Sequence, residues 1–201
     1  MPTERKRPRV EGDRKGEVLD AALRMLVDVG YDRLTMDMVA SEAKASKATL
    51  YRLWPRKAEL VVDAVTRCKQ MPDPQLPSTG SLRDDLLAMF CGPGGASQRL
   101  PMSVLGGLLT ALHTDADLSA AWRERFLEPR MAVTRQIFAE AIQRGEIPAD
   151  LDLDLLHTVL PSMCAFQTSV LGREVDASFI RRVIDHVVIP ATSPTALQET
   201  S

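Results

Sequence analysis

The chain has 201 residues, 45% of them apolar and 26% charged, with a formal net charge of −2. That composition excludes wholesale disorder and leaves a globular protein long enough to bury a sizeable core. No apolar run reaches the ~18–20 residues of a spanning helix and no apolar leader opens the chain, so a cytoplasmic protein with no membrane partner is expected. Charge is unevenly spread. Residues 1–69 hold 15 Lys/Arg against 11 Asp/Glu, whereas residues 70–201 hold 10 against 16, which places any polyanion contact in the N-terminal part. Residues 1–15, with six Lys/Arg and almost no apolar content, read as a disordered basic arm.

From Glu17 the pattern turns helical: Val18, Leu19, Ala22, Leu23, Leu26 and Val29 recur at helical spacing, and Gly30 follows as a stop. Thr35 is placed to cap a helix opening at Met36, with Asp37 in its first turn. Lys44, Ala45 and Ser46 make a polar turn, and Ser46 caps a short helix carrying Lys47 to Arg52. After Pro55 an amphipathic run places Leu60, Val61, Ala64 and Val65 on one side. Residues 71–80 hold three prolines and a glycine and mark the domain boundary. Five more helices are predicted: 82–91, 101–113, 117–144 bent at Pro129, 152–171 bent at Pro161, and 176–188, which stops before Pro190. No strand pattern or internal repeat appears, so the fold class is all-α.

Three short helices with a tight polar turn before the third describe a helix-turn-helix. Val39, Ala40, Ala43 and Leu50 supply the small apolar contact between helices, while Ser46, Lys47, Thr49, Tyr51 and Arg52 offer donors on the exposed face of the third. Hydroxyls and ammonium groups suit phosphate oxygens, and Lys47 or Arg52 can also reach guanine edges. Thr35, at a helix N-terminus, can present backbone N–H groups to a phosphate, and Lys57 stands where a further backbone contact falls. The plain alternative for these side chains is a solvated helix face.

The stretch from Val18 to Leu60, about 43 residues, resembles the DNA-binding domain of the TetR (tetracycline-repressor) family. The resemblance is carried by Gly30-Tyr31, Thr35, Val39-Ala40, Ser46-Lys47-x-Thr49-Leu50-Tyr51 and Trp54-Pro55-x-Lys57. More loosely, RGEIPADLDLD (residues 144–154) and the two helices after it resemble one common type of C-terminal regulatory domain in that family. The resemblance implies a homodimer that binds a palindromic double-stranded DNA operator and loses affinity when a small ligand enters the C-terminal domain. It maps phosphate contacts to Thr35, Thr49, Tyr51 and Lys57, and base-reading positions to Asp37, Lys47 and Ala48. Three positions depart from the family pattern. Leu53 stands where many members have His, Ala48 replaces a frequent Gly, and Asp37 stands where some members place a basic residue.

The expected organisation is thus a disordered arm (1–15), a three-helix helix-turn-helix domain (16–70), an α-helical ligand-binding and dimerisation domain (71–190) and a flexible tail (191–201), with about nine helices in all. Phe90, Met102, Leu105, Leu109, His113, Trp122, Phe126, Met163, Phe166 and Gln167 are expected to line a cavity for an apolar or amphipathic ligand, with His113 and Gln167 as its polar anchors. For each of them, plain core is the alternative. The apolar stripe of the final helix covers more than one face. Val159, Val170, Phe179, Ile180, Val183, Ile184 and Val187 are therefore expected to form an isologous dimer interface in a four-helix bundle. His157 and His186 read as structural or exposed. Cys68, Cys91 and Cys164 are odd in number and in no ligand-like spacing, so neither a metal nor a cofactor is expected. No nucleophile elbow or phosphate loop points to an enzyme. The rival to a ligand-responsive regulator is an architectural DNA-binding protein without a ligand, which would bind with little sequence preference and a steep salt dependence.

Overall fold

The computed structural model describes residues 11–69, 78–92 and 102–193, and among these every regular element is helical. The first ten residues of the expected arm, residues 71–77 of the linker, the loop after Gly92 and residues 194–201 of the tail lie outside the described residues.

Helix α1 spans Glu11–Arg33 and is broken at Gly30, whose φ of 76° and ψ of 168° lie outside the reach of most side chains. The glycine ends the main run as expected, and one turn follows it. The start differs from expectation by six residues, and Arg14 in the added stretch is engaged on both sides. Arg14 Nη1 lies 2.6 Å from Glu17 Oε2, and Nη2 donates to the Lys44 carbonyl. Residues 11–15 therefore belong to the helix and not to a disordered arm.

Helices α2 (Met36–Glu42) and α3 (Lys47–Leu53) begin at side-chain caps. Thr35 Oγ1 accepts from Met38 N at 3.3 Å and Ser46 Oγ from Thr49 N at 3.1 Å. The turn between them passes through Lys44 at φ 49°, a left-handed residue without a glycine's freedom. Helix α4 (Lys57–Cys68) then runs under the unit. Helices α5 (Leu82–Cys91) and α6 (Met102–Thr114) follow.

The two long C-terminal helices share a device. Helix α7 runs Ala116–Trp122, widens to a π segment at Arg123–Leu127 and continues as Glu128–Gln143. After α8 (Leu153–Ser169), α9 runs Ala177–Val183, widens at Ile184–Val188 and ends with Ile189–Ala191. In each case the residue just before a proline bonds five residues back: Glu128 N to Arg123 O ahead of Pro129, and Ile189 N to Ile184 O ahead of Pro190. A proline has no N–H to give and its ring crowds the preceding turn, and the wider turn makes room for it. The final helix thus passes through Pro190, where the sequence led us to expect a stop, and Thr192 behind it is buried. Pro161, by contrast, sits inside α8 without a break in the helix.

Two apolar cores result. The first joins α1–α4 to the inner faces of α6 and early α7, through Val104, Leu108, Ala111, Leu118 and Ala121. Its continuity crosses the proline-rich segment, so α4 is packed from both sides. The second joins α5, late α7, α8 and α9 around Leu82, Phe138, Ile180 and Ile184. Arg83 grips Asp185 with two nitrogens at 2.7 and 3.1 Å, tying α5 to α9. Leu82 N, at the start of α5, donates to the Glu146 carboxylate at 2.7 Å.

Candidate nucleic-acid interface

Within α3 only Leu50 is fully buried, half-buried Leu53 packs against the same core, and the opposite face of the helix is left outward. Lys47, Ala48 and Arg52 are exposed, Tyr51 is 49% exposed, and Thr49 is half-buried. Ser46 Oγ and Thr49 Oγ1 lie 2.8 Å apart, so cap and helix share one hydroxyl pair. Thr35 is exposed at the start of α2, on the same edge of the unit.

Asp37 and Lys47, the two expected base-reading charges, meet: Lys47 Nζ lies 2.6 Å from Asp37 Oδ2 in an exposed ion pair. The Asp37 carboxylate holds the Lys47 ammonium above its ordinary pKa, first by the hydrogen bond and then by charge. In the free protein, then, α2 supplies a neutralising partner to the first lysine of α3. Lys57 also has an occupant for its charge. Its Nζ donates to the Tyr31 carbonyl at 3.0 Å and sits 4.1 Å from the centre of the Tyr31 ring.

Behind the exposed face lies a set of polar ties that the sequence did not reveal. Trp54, 1% exposed at the end of α3, donates from its indole to Asp63 Oδ2 on α4 at 2.8 Å. Arg125, in the π segment of α7, reaches Asp63 at 3.2 Å and Glu59 at 2.7 Å. Tyr31 donates to Asp115 Oδ2 at 2.6 Å, and Arg56 pairs with Asp117 at 3.0 Å. Burial first, then the Asp115 carboxylate, drive the Tyr31 phenol well above its usual pKa. The helix-turn-helix is thereby fastened to the start of α7 at several points around α4. Of these residues, only Tyr31 and Trp54 belong to the motifs that carry the family resemblance.

The described residues expected to line a ligand cavity do not come together. His113 is exposed and bonded to the Leu109 carbonyl of its own helix at 2.8 Å. Trp122 and Phe126 stack at 4.1 Å and pack against the first core, because one helical turn separates them on the face toward α4. Met163 and Phe166 are 37% and 55% exposed, and Gln167 is half-buried with its carbonyl accepting from Arg173. The side chains of Met102 and Leu105 lie outside the described residues.

Among the eight whose side chains are described, Phe90 alone borders a narrow cleft, whose roughly 220 Å³ of empty space is mostly open to solvent and leaves enclosed room for about one water. Leu86 joins it from α5, Thr134 and Phe138 from α7, Leu156, His157 and Leu160 from α8, and Val188 from α9. His157, expected to be structural or exposed, is 5% exposed, and its Nδ1 has no hydrogen-bond partner among the described residues. Its place one position from Leu156 and three from Leu160, both buried, is the signal that pointed inward.

The expected dimer residues also divide. Ile180, Val183 and Ile184 are at most 3% exposed inside their own subunit, so they hold α9 onto its own domain and offer no free surface. Val159 and Phe179 are half-buried against the same core. Val170 and Val187 are exposed, together with Leu155, Met163, Phe166 and Leu171, an apolar surface carried mainly by α8. Among the described residues no helix is long and apolar enough to cross a membrane, and no cluster of three His, Cys, Asp or Glu could hold a metal ion.

Comparison with known proteins meets this geometry at every level. Residues 18–64 match the family model "Bacterial regulatory proteins, tetR family", and residues 76–187 match "Tetracyclin repressor-like, C-terminal domain". An HTH-type transcriptional regulator of Mycobacterium tuberculosis (strain H37Rv) is 36% identical over 182 residues, covering 89% of this chain and 87% of the relative. The DNA-binding transcriptional repressor TetR of Mycobacteroides abscessus is 35% identical over 183 residues, covering 91% and 96%. Among solved structures, the TetR family transcription regulator SCO0332 superposes with a TM-score of 0.64 at 28% identity, over 90% of this chain and all of that one. Salmonella enterica GusR, at 16% identity, shares the fold with a TM-score of 0.65 over 92% and 99%. With capped α2 and α3 at one end and a helical second core at the other, the chain belongs to the TetR family of bacterial DNA-binding transcriptional regulators.

Proposed function

We propose that the protein is a ligand-responsive repressor of the cytoplasm that binds a palindromic operator as a homodimer. The observation that carries this reading is α3: a side-chain-capped helix held to the core through Leu50 and Leu53, with Lys47, Ala48, Tyr51 and Arg52 facing outward. Thr35, Ser46, Thr49 and Tyr51 serve the phosphates, Lys47 and Asp37 face base edges with Ala48 between them, and Arg52 reaches a phosphate or a guanine. Lys57 joins them by exchanging the Tyr31 carbonyl for a phosphate oxygen. The relative from Mycobacteroides abscessus, named a repressor, favours repression over activation.

The apolar surface of α8 and α9 pairs two copies about a two-fold axis, which sets the recognition helices about one duplex turn, ~34–36 Å, apart. Ligand binding among the helices of the second core favours a different α7 position. The Arg125, Glu59 and Asp63 ties pass that shift to α4 and α3, and operator affinity falls by the ligand's preference between the two states.

Selection of binding sites from fragmented genomic DNA, beside the double variant Lys47→Ala/Tyr51→Ala, tests the first half. A recovered palindrome that the variant fails to bind is expected, with a preference of roughly 10³-fold or more over other DNA. Fragments without a shared motif, bound equally by the variant, would replace the reading with an architectural one.

A further inference from the structure

Asp37 and Lys47 come from different helices, yet they set an acceptor and a donor side by side on the outward face of the helix-turn-helix. Lys47 Nζ and Asp37 Oδ2 are 2.6 Å apart, and both side chains are exposed. Neither group is used up by the pairing. An ammonium has three donors and a carboxylate about four acceptor sites, so each can bond outward without releasing the other. Ala48, exposed beside Lys47, is too short to hold a base edge away. Resting on the sequence-specific DNA binding proposed above, we infer that Asp37 and Lys47 act as one unit that reads a single G·C base pair in the major groove, Lys47 on the guanine and Asp37 on the cytosine amino group.

Spacing and polarity select that base pair. Guanine O6 and cytosine N4 are hydrogen-bonded to each other at ~2.9 Å, close to the separation of Lys47 Nζ and Asp37 Oδ2. The protein pair and the base pair therefore meet edge to edge, and every donor in the resulting square faces an acceptor. The flanks then fix the identity. Guanine offers N7 beside O6, so the cation stands over two acceptors, while cytosine offers the carboxylate its amino group. An A·T pair holds its amino group between two acceptors, N7 and O4, with the thymine methyl beyond O4. A carboxylate there meets one acceptor that the ammonium leaves uncovered, whichever way the base pair is turned. Reversing G·C to C·G fails as well, because it sets the carboxylate against O6 and N7.

The charge of the groove makes the two residues interdependent. A carboxylate alone is repelled by the phosphates that flank the groove. Beside Lys47 it enters as half of a neutral pair, so Asp37 contributes discrimination between base pairs and little overall affinity.

The test selects sites from a randomised duplex library with the full chain and with Asp37→Ala. The wild type is expected to return a palindrome with one G·C pair, fixed in orientation, at a mirrored position of each half-site. In Asp37→Ala only that position relaxes. The selected duplex is then remade with N4-methylcytosine there, which keeps the Watson–Crick bonds and removes the amino hydrogen that faces the major groove. Wild type is expected to lose about tenfold or more in affinity, and Asp37→Ala to lose little. A carboxylate that merely steadies Lys47 would leave both proteins equally sensitive to the methyl group, and that result would overturn the inference. So would a motif in which Asp37→Ala relaxes no position, or relaxes an A·T pair; sequence-specific binding would stand in each of these cases. A library that yields no motif with wild type would overturn the proposed function and this inference with it.

Discussion

Trp54 Nε1 donates to one oxygen of Asp63 at 2.8 Å, and Arg125 holds the other oxygen at 3.2 Å. A single carboxylate on α4 therefore joins the end of the recognition helix to the π segment of α7. Asp63→Ala leaves the buried Trp54 N–H without an acceptor, which costs about 1–3 kcal/mol. For a chain of this size that is a fall in Tm of roughly 2–12 °C by differential scanning fluorimetry. In a Trp54→Phe background the same replacement is expected to cost clearly less, because the orphaned donor is gone. Arg125→Met keeps the indole bond and breaks only the tie to α7. Its expected signature is near-normal operator binding with a weakened ligand response, and an unchanged response would remove Arg125 from the coupling.

The Asp37–Lys47 pair sets a second expectation. While paired, Lys47 contributes little positive potential to the face that meets DNA. Asp37→Ala should raise affinity for non-specific duplex several-fold and steepen the dependence of log K on log salt by up to about 0.9, the share of one additional phosphate contact. Anisotropy titrations of a random duplex at four salt concentrations read both quantities. A slope identical to wild type would mean that Lys47 never faces a phosphate.

Tyr31 and Asp115 make a pH-dependent fastening. The Tyr31 hydrogen bond is the largest cause holding the Asp115 carboxyl below its usual range. A depressed carboxyl stabilises the fold above its unfolded value of ~3.9, and that contribution is lost as pH falls further. The Tyr31 phenol is shifted the other way. Its contribution is complete below an unfolded value of about 10 and is lost as pH rises beyond it. Tyr31→Phe is therefore expected to lower Tm at neutral pH by a few degrees, with the gap to wild type closing in strong acid and again in strong alkali. A gap that is constant across the range would assign the loss to packing alone.

The local parts of this fold were legible because their signals are local. Thr35, Ser46, Ser81, Asp152 and Asp176 each cap the helix that follows, and each stands immediately before an apolar periodic run. The π segments were not legible, since a proline within a helical pattern reads as a bend or a stop while the wider turn that absorbs it leaves no mark in composition. That omission misdirected the reading of α9. Its broad stripe looked like two faces of a regular helix, yet the π turn at Ile184–Val188 rotates the later residues relative to Ile180 and Val183. A single inward surface thus spreads over several apparent faces. The cleft was hidden for a different reason. Which of several apolar helices brings a polar group inward depends on how four helices pack, and His157 is distinguished from His113 only by that packing.

Division of the α8–α9 residues into buried and exposed sets gives the last expectation. Phe166 and Val170 are 55% and 66% exposed on an apolar surface, whereas Ile180 is fully buried. A charge at Phe166 or Val170 leaves the subunit's own core intact but must be desolvated in any two-fold pairing, once in each subunit. Phe166→Glu/Val170→Glu should therefore raise the dimer dissociation constant by ~10²-fold or more with helical content unchanged, and operator binding should fail with it. Ile180→Ala should do the reverse: about 2–5 kcal/mol of stability lost, with the dimer mass retained wherever the protein remains folded. Light scattering and thermal melts on the two variants separate these effects. A dimer that survives the double charge would move the interface away from this surface and leave Leu155, Met163 and Leu171 to be explained by some other contact.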